Sequence, residues 1–434
     1  MIRIPFVMVN KKSINAVNHS KFGNKFIRPL LESYCFSRIP DTIKTAFGIE
    51  SKNSLPADIF GKIRKAKYQQ ITLFVLDGLG WNFFEDRLKN PNFLKNLVSK
   101  KAVVSKITAQ FPSTTAAQLT TLHTGLPLDE SGIYEWFYYE KKIDALMAPL
   151  LFSFAGDKDR NTLKKAGINP NLIFPKKTIY RELNHHGVNS KIYISRDIFP
   201  SAYLESVSRG AEIFPYRSTT EALLHLAESL INNKKPTYYH FYFDKIDSIS
   251  HQYGPDSDYC HKEIESFFDS FKKNFLSLVR KTKSKNTLII ITSDHGQTEA
   301  NPEETIYLNK IFPSLDKFFV KTNKNIPIVP AGSCRDMFLH IKSHYLDDVY
   351  RKLVAKIKNK AEVHYVQDLI DKNLFGLNKK PKELLERIGN LVILPYAGES
   401  VWWNRDKKFT IKHKGHHGGL SPEEMFVPFI CLEI

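Results

Sequence analysis

Apolar residues in this chain gather into short runs that stop abruptly at polar or glycine-rich turns. The clearest, residues 71–76 (ITLFVL), ends at Asp77 and Gly78, the pattern of a buried parallel strand meeting a loop. Similar runs occur at 191–195, 238–243, 287–294 and 425–434, separated by helical stretches such as 218–232 and 259–282. This alternation predicts an α/β fold, an open sheet sandwiched by helices, with ligands bound outside the carboxyl ends of the strands. Three polar clusters fall at such ends.

Residues 1–68 mix polar and aromatic positions without strand alternation, which predicts an N-terminal extension packing on the outside of the core. The α/β unit is expected over 69–329 and again over 397–434. Between 330 and 396 the rhythm changes to strand, helix, strand (MFLHIK, LDDVYRKLVAKIKN, AEVHYV) followed by the apolar run NLVILPY. That segment reads as a small α+β insertion.

Composition narrows the class. The 434 residues are 42% hydrophobic with 20 Gly and 22 Pro, a globular make-up long enough for a large core and a second lobe. Cys35, Cys260, Cys334 and Cys431 lie scattered without CxxC spacing, so neither a disulfide framework nor a zinc knuckle is expected. They read as free thiols of a reducing compartment. The first residues hold no signal-type apolar run, and no segment approaches the roughly 20 apolar residues of a membrane span. A cytoplasmic protein is therefore expected. The formal charge of +18, from 63 basic and 45 acidic residues, favours anionic ligands. The lysines are spread without aromatic interleaving, which fits a generally basic surface better than a dedicated nucleic-acid stripe.

Four clusters carry candidate chemistry. In DSISHQYG, Asp247 and His251 are four residues apart and share one face of a helical turn, as a metal pair or an ordinary surface contact would. In TSDHGQT, Asp294 and His295 follow an apolar strand, and both reach one ion only if the chain turns at Gly296. In HKGHHGGLSPEEM, His417 precedes two glycines and a core strand, with His416 and His413 as alternatives. In FPSTTAAQLTTLHTG, Thr114 and Thr115 occupy the start of a helix, whose free N–H groups and positive dipole suit an anion. Either threonine could be a simple cap. A threonine hydroxyl becomes a competent nucleophile when a divalent metal lowers its pKa. With Asp77, these clusters supply six oxygen or nitrogen donors, which suit two divalent ions clamping an in-line displacement at phosphorus.

The order of these motifs resembles the alkaline phosphatase superfamily, and within it the type I phosphodiesterase/nucleotide pyrophosphatase family, over roughly residues 70–434. The resemblance rests on Asp77 and Gly78; on Phe111, Pro112, Thr115, Thr124 and Gly125; on Asp247, His251 and Gly254; on Ser293, Asp294, His295 and Gly296; and on His417 and Gly418. It implies an alkaline-phosphatase-like fold with residues 330–396 as a cap. It also implies Thr115 as nucleophile, with Asp77, Thr115, Asp294 and His295 around one zinc and Asp247, His251 and His417 around the other. Relatives commonly place an Asn three residues after the nucleophile to contact a phosphoryl oxygen. This chain has Gln118 there, which could donate the same bond from one methylene further out.

The expectation is a hydrolase of phosphodiesters or nucleotide pyrophosphates working through a phosphothreonine intermediate on a small, nucleotide-like phosphate ester. Within the superfamily, a phosphomonoesterase or phosphonate hydrolase is the alternative. Sulfatases and metal-dependent mutases fit Thr115 less well, since they use a modified Cys or Ser and a Ser at that position. From another class, a basic nucleic-acid or surface-binding protein with a degenerate metal site would lack some of the six donors, and none is missing.

Overall fold

The computed structural model describes residues 7–63, 67–85, 87–90, 102–281, 286–404 and 410–434. Residues 1–6 and 64–66 of the expected extension and residue 282 of the expected helix lie outside these. Eight strands form the central sheet: β1 (Val7–Val9), β2 (Gln70–Leu76), β3 (Ala102–Thr108), β4 (Asn189–Ser195), β5 (Glu212–Tyr216), β6 (Thr237–Phe243), β7 (Thr287–Thr292) and β8 (Phe426–Glu433). Their spatial order is β1-β3-β8-β7-β2-β6-β4-β5. All run parallel except β8, which is antiparallel to both β3 and β7.

The expected α/β architecture is present, and its central strands are those announced by apolar runs. Every residue of β2, β6 and β7 is buried, because helices cover both faces of a mostly parallel sheet. Among the covering helices, α1 (Thr115–Thr124) follows β3, α2 (Thr219–Asn232) follows β5, α3 (Lys245–Tyr253) follows β6, and α4 (Asp258–Phe271) leads into a π-helical turn. A capping box of Ser218 and Glu221 starts α2.

Two findings differ from the sequence reading of the N-terminal segment. Val7–Val9 is not outside the core structure but joins the sheet as an edge strand, parallel to β3 with Val7 opposite Ala102. Further on, Phe26, Phe36, Ile39, Ile43 and Tyr68 are buried in the same apolar cluster as the central strands. A second, smaller cluster gathers Leu308, Phe319, Met337, Leu353, Ile393 and Trp403. It surrounds a four-stranded sheet of Ala331–Gly332, Met337–Leu339, Leu391–Pro395 and Ala361–Tyr365. No helix among the described residues is long and apolar enough to cross a membrane.

The sheet order decides where chemistry can assemble. Strands β7, β2 and β6 are neighbours, so the loops after β7 and β2, bearing Asp294 and Asp77, and the first turn of α3 after β6, bearing Asp247, open side by side at one edge. Because β8 runs the other way, it begins at the edge where its parallel neighbours end. The loop that precedes β8, with His417, thereby reaches the same place as loops that follow β2, β6 and β7.

Candidate metal centre

Two glycines let the carboxylate loops close on each other. Gly78 has φ +74°, and a Cβ there would lie 2.9 Å from the Cα of Asp247. At Gly296 the requirement is space rather than a left-handed backbone, since a Cβ would meet the Glu423 carbonyl oxygen at 2.2 Å.

The carboxylates arrive buried and incompletely paired. Asp294 is fully buried, and its Oδ1 accepts from the N–H groups of Gly78 (3.3 Å) and His295 (3.0 Å) and from Ser293 Oγ (3.3 Å). Asp77 Oδ2 accepts from the Tyr242 hydroxyl. The other oxygen of each, Asp77 Oδ1 and Asp294 Oδ2, is buried without a hydrogen bond. Burial, then the carboxylates of Asp294 and Asp247, push Asp77 well above the usual carboxylate range. Asp247 Oδ1 accepts from Gln297 Nε2 at 2.5 Å.

The histidines are oriented by backbone. Nδ1 of His251, His295 and His417 lies 2.7, 3.1 and 3.1 Å from the carbonyl oxygens of Gly415, Gly296 and Ser113. A carbonyl only accepts, so each Nδ1 carries a proton and Nε2 is the ring atom left to face the centre. Those Nε2 atoms face acidic oxygens: His295 at 3.3 Å from Asp77 Oδ1 and 3.4 Å from Asp294 Oδ2, His251 at 3.4 Å from Asp247 Oδ2, and His417 at 3.8 Å from Asp247 Oδ1. Acidic oxygens gathered around these Nε2 atoms in a largely buried site call for positive charge, which a divalent ion between them supplies. Burial, with His295 and His251 alongside, also drives His417 well below the ordinary imidazole range. The donor set therefore fits divalent ions, and the backbone carbonyls fix the tautomer such ligands need.

Within this constellation, ligand atoms of Asp77, Asp294 and His295 all lie within 4.8 Å of one another, as do those of Asp247, His295 and His417. His295 thus touches both groups, while His251 approaches Asp247. Of the three late histidines, His417 is brought into the site. The ring of His416 is turned away, with Nε2 2.8 Å from the His413 carbonyl and Nδ1 3.2 Å from Cys334 Sγ.

The two threonines separate cleanly. Thr114 caps α1, accepting from the Ala117 N–H at 3.4 Å and donating to the Tyr134 carbonyl at 2.9 Å. Thr115, the first residue of α1, places Oγ1 3.1 Å from His295 Nε2. Gln118 corrects the sequence reading. It is fully buried, with Nε2 donating to the Gln110 and Pro112 carbonyls (both 3.2 Å) and Oε1 accepting from Gln110 Nε2 (3.0 Å). Its amide holds the turn before α1 and is not at the site: although i and i+3 share a helix face, its Nε2 and Oε1 are engaged by Gln110 and Pro112.

Tyr242 and Gln297 were missed from sequence. Gln297 directly follows the Ser-Asp-His-Gly motif, which is a usable signal, whereas Tyr242 is one aromatic among five in β6.

Two chambers open on the centre, sharing Thr115, Trp136 and Asp247. One, of about 200 Å³, runs between aliphatic side chains to Arg160 and the buried His123 and His240. The other, of about 380 Å³, is bounded by Trp136, Phe137, Trp402 and Ile411 and by His251 and His417.

A sequence profile described as type I phosphodiesterase/nucleotide pyrophosphatase matches residues 71–420. The chain is 23% identical over 323 residues to ectonucleotide pyrophosphatase/phosphodiesterase family member 3 of Rattus norvegicus, covering 69% of this chain and 35% of that protein. It is 22% identical over 373 residues to a venom phosphodiesterase of Crotalus durissus collilineatus, covering 80% of this chain and 39% of that one. The chain thus spans well under half the length of these two relatives. Among solved structures, murine ectonucleotide pyrophosphatase/phosphodiesterase 5, in an inactive threonine-to-alanine form in complex with AMP, is similar with a TM-score of 0.62 and 16% identity. That match covers 83% of this chain and 87% of the murine one. The likeness is one of fold, the alkaline-phosphatase-like α/β architecture.

Proposed function

Given that the chain belongs to the type I phosphodiesterase/nucleotide pyrophosphatase family, we propose that it hydrolyses phosphodiesters or nucleotide pyrophosphates, with Thr115 as the nucleophile of a phosphothreonine mechanism. One observation carries this reading: Thr115 Oγ1 lies at the start of α1, 3.1 Å from a His295 Nε2 whose Nδ1 is committed to a backbone carbonyl. Of the two threonines at the start of α1, the one not spent on capping is thereby held among the candidate ligands.

Asp77, Asp294 and His295, with Thr115, would hold one divalent ion, and Asp247, His251 and His417 a second, with zinc favoured by the mixed carboxylate and imidazole donors. Such ions, when bound, lower the pKa of a coordinated hydroxyl and offset the charge that develops at phosphorus. The residues do the rest. The Thr115 hydroxyl proton passes to solvent, since His295 Nε2 would be engaged as a ligand, before Oγ1 attacks phosphorus in line. Attack forms the Oγ1–P bond and breaks the bond to the leaving oxygen. Water then attacks the phosphothreonine and returns Oγ1. The amide end of α1 brings its positive dipole to the phosphoryl group, a role left open by the engagement of Gln118 elsewhere. The AMP held by the murine structural neighbour supports a nucleotide-like substrate here.

The test is Thr115→Ala with bis(p-nitrophenyl) phosphate as substrate. Turnover should fall by about 10³-fold or more while circular dichroism and metal content stay as in the wild type. Undiminished turnover refutes the nucleophile, and protein that takes up no divalent metal refutes the centre.

A further inference from the structure

The second chamber does not resemble an anion site. Among the described residues lining it, none is Lys or Arg. Its walls are Trp136, Phe137, Trp402 and Ile411, and its acidic members are the candidate ligand Asp247 and the fully buried Glu135. Beyond the candidate ligands, a wall of aromatic and aliphatic side chains offers an anion no partner and disfavours its charge through desolvation.

Position relative to the nucleophile assigns the chamber a role. In the arrangement proposed above, Thr115 shares one ion with Asp77, Asp294 and His295, and Asp247, His251 and His417 hold the second. In an in-line displacement the leaving oxygen departs on the side opposite the attacking oxygen, toward Asp247, His251 and His417. The second chamber is lined by all three of those residues, whereas the first is lined by Asp247 alone of them. The first chamber also contains Arg160, the one guanidinium among the described residues lining either space.

Resting on the hydrolase reading above, we infer that the chamber between Trp136, Trp402 and Ile411 receives the leaving group and selects an uncharged apolar or aromatic alcohol. The preferred substrates are then phosphodiesters with such an alcohol as one arm, and pyrophosphates, whose leaving group is itself a phosphate anion, are poor ones. Water supplies the proton and oxygen balance: the diester and water give the alcohol and a phosphomonoester.

The experiment compares thymidine 5′-(p-nitrophenyl phosphate) with thymidine 5′-diphosphate, whose leaving groups are of similar basicity, using metal-loaded full-length chain. The wild type should favour the aryl ester in kcat/KM by about 10-fold or more, and Ile411→Lys, which adds a cation to the chamber wall, should reduce that ratio by about 10-fold. Binding of p-nitrophenol to the Thr115→Ala protein, followed by calorimetry, should weaken in Ile411→Lys as well. An active wild type that favours the diphosphate, or a ratio unmoved by Ile411→Lys in a protein with unchanged thermal unfolding, overturns the inference and leaves the hydrolase reading standing. Failure of the wild type to cleave either compound overturns both.

Discussion

The imidazole of His417 lies flat on that of His295, with ring centroids 3.6 Å apart and planes 9° from parallel. Each ring is pinned at Nδ1 by a carbonyl from a different segment, Ser113 for His417 and Gly296 for His295. The stack therefore couples the two ligand groups mechanically, since displacing one ring removes the surface against which the other is held. His417→Ala should lose the ion of its own group and weaken the other by about 10-fold. Chelator competition with metal analysis reads this directly. One ion retained at wild-type affinity would show that the groups act independently.

Tyr242 donates its hydroxyl to Asp77 Oδ2, leaving Oδ1 as the unpaired oxygen. This fixes which oxygen of Asp77 faces the centre. Tyr242→Phe keeps the ring in place and removes the donor, so metal affinity or kcat/KM should drop about 10- to 100-fold with little change in unfolding temperature. Wild-type affinity and activity in that variant would mean that burial alone orients Asp77.

Gln118 sits three residues from the proposed nucleophile Thr115 yet spends its amide on Gln110 and Pro112. Replacing it by Leu leaves buried carbonyls unpaired, which should cost about 1–3 kcal/mol in denaturant unfolding. Below the unfolding transition kcat should stay near the wild-type value. A large fall in kcat at unchanged stability would instead place the amide on the phosphoryl group.

What the sequence makes legible follows from how locally each feature is determined. Strands β2, β6 and β7 are continuous apolar runs because both faces are buried, and they can be read without knowing their neighbours. β5 escapes such a reading because Pro215 interrupts it, which the chain tolerates since β5 is an edge strand. β3 is broken by Ser105 and Lys106. The Lys106 ammonium lies 3.8 Å from the centroid of the Phe426 ring and bonds to Asn18 at 2.7 Å, partners more than eighty residues away. Within the site, aspartates at strand ends are announced by the strands themselves. The orientation of Gln118 depends on the turn at Gln110 and Pro112, and the separation of His417 from His416 depends on Ser113 and on Cys334, so neither follows from spacing.

The floor of the first chamber offers a pH-dependent stability that does not involve the metal ligands. His123 and His240 lie with ring centroids 4.8 Å apart, both essentially inaccessible to solvent. Burial holds His123 down to about 3, and burial together with neighbouring His123 holds His240 well below the ordinary imidazole range. The groups that face them are phenols, Tyr180 and Tyr203 against His123 and Tyr238 against His240, and burial raises all three, so they remain neutral in acid. In the unfolded chain both histidines bind a proton near pH 6.5, whereas in the fold neither does until far lower pH. The unfolded state therefore binds more protons as pH falls below about 6.5, and stability declines by about 1.4 kcal/mol per pH unit for each histidine. His123→Gln removes one of the two, so its denaturant-derived stability should fall less steeply between pH 6 and pH 4, by roughly that amount per unit. Measured on metal-free protein, parallel profiles for wild type and variant would show that His123 takes up its proton in the folded state.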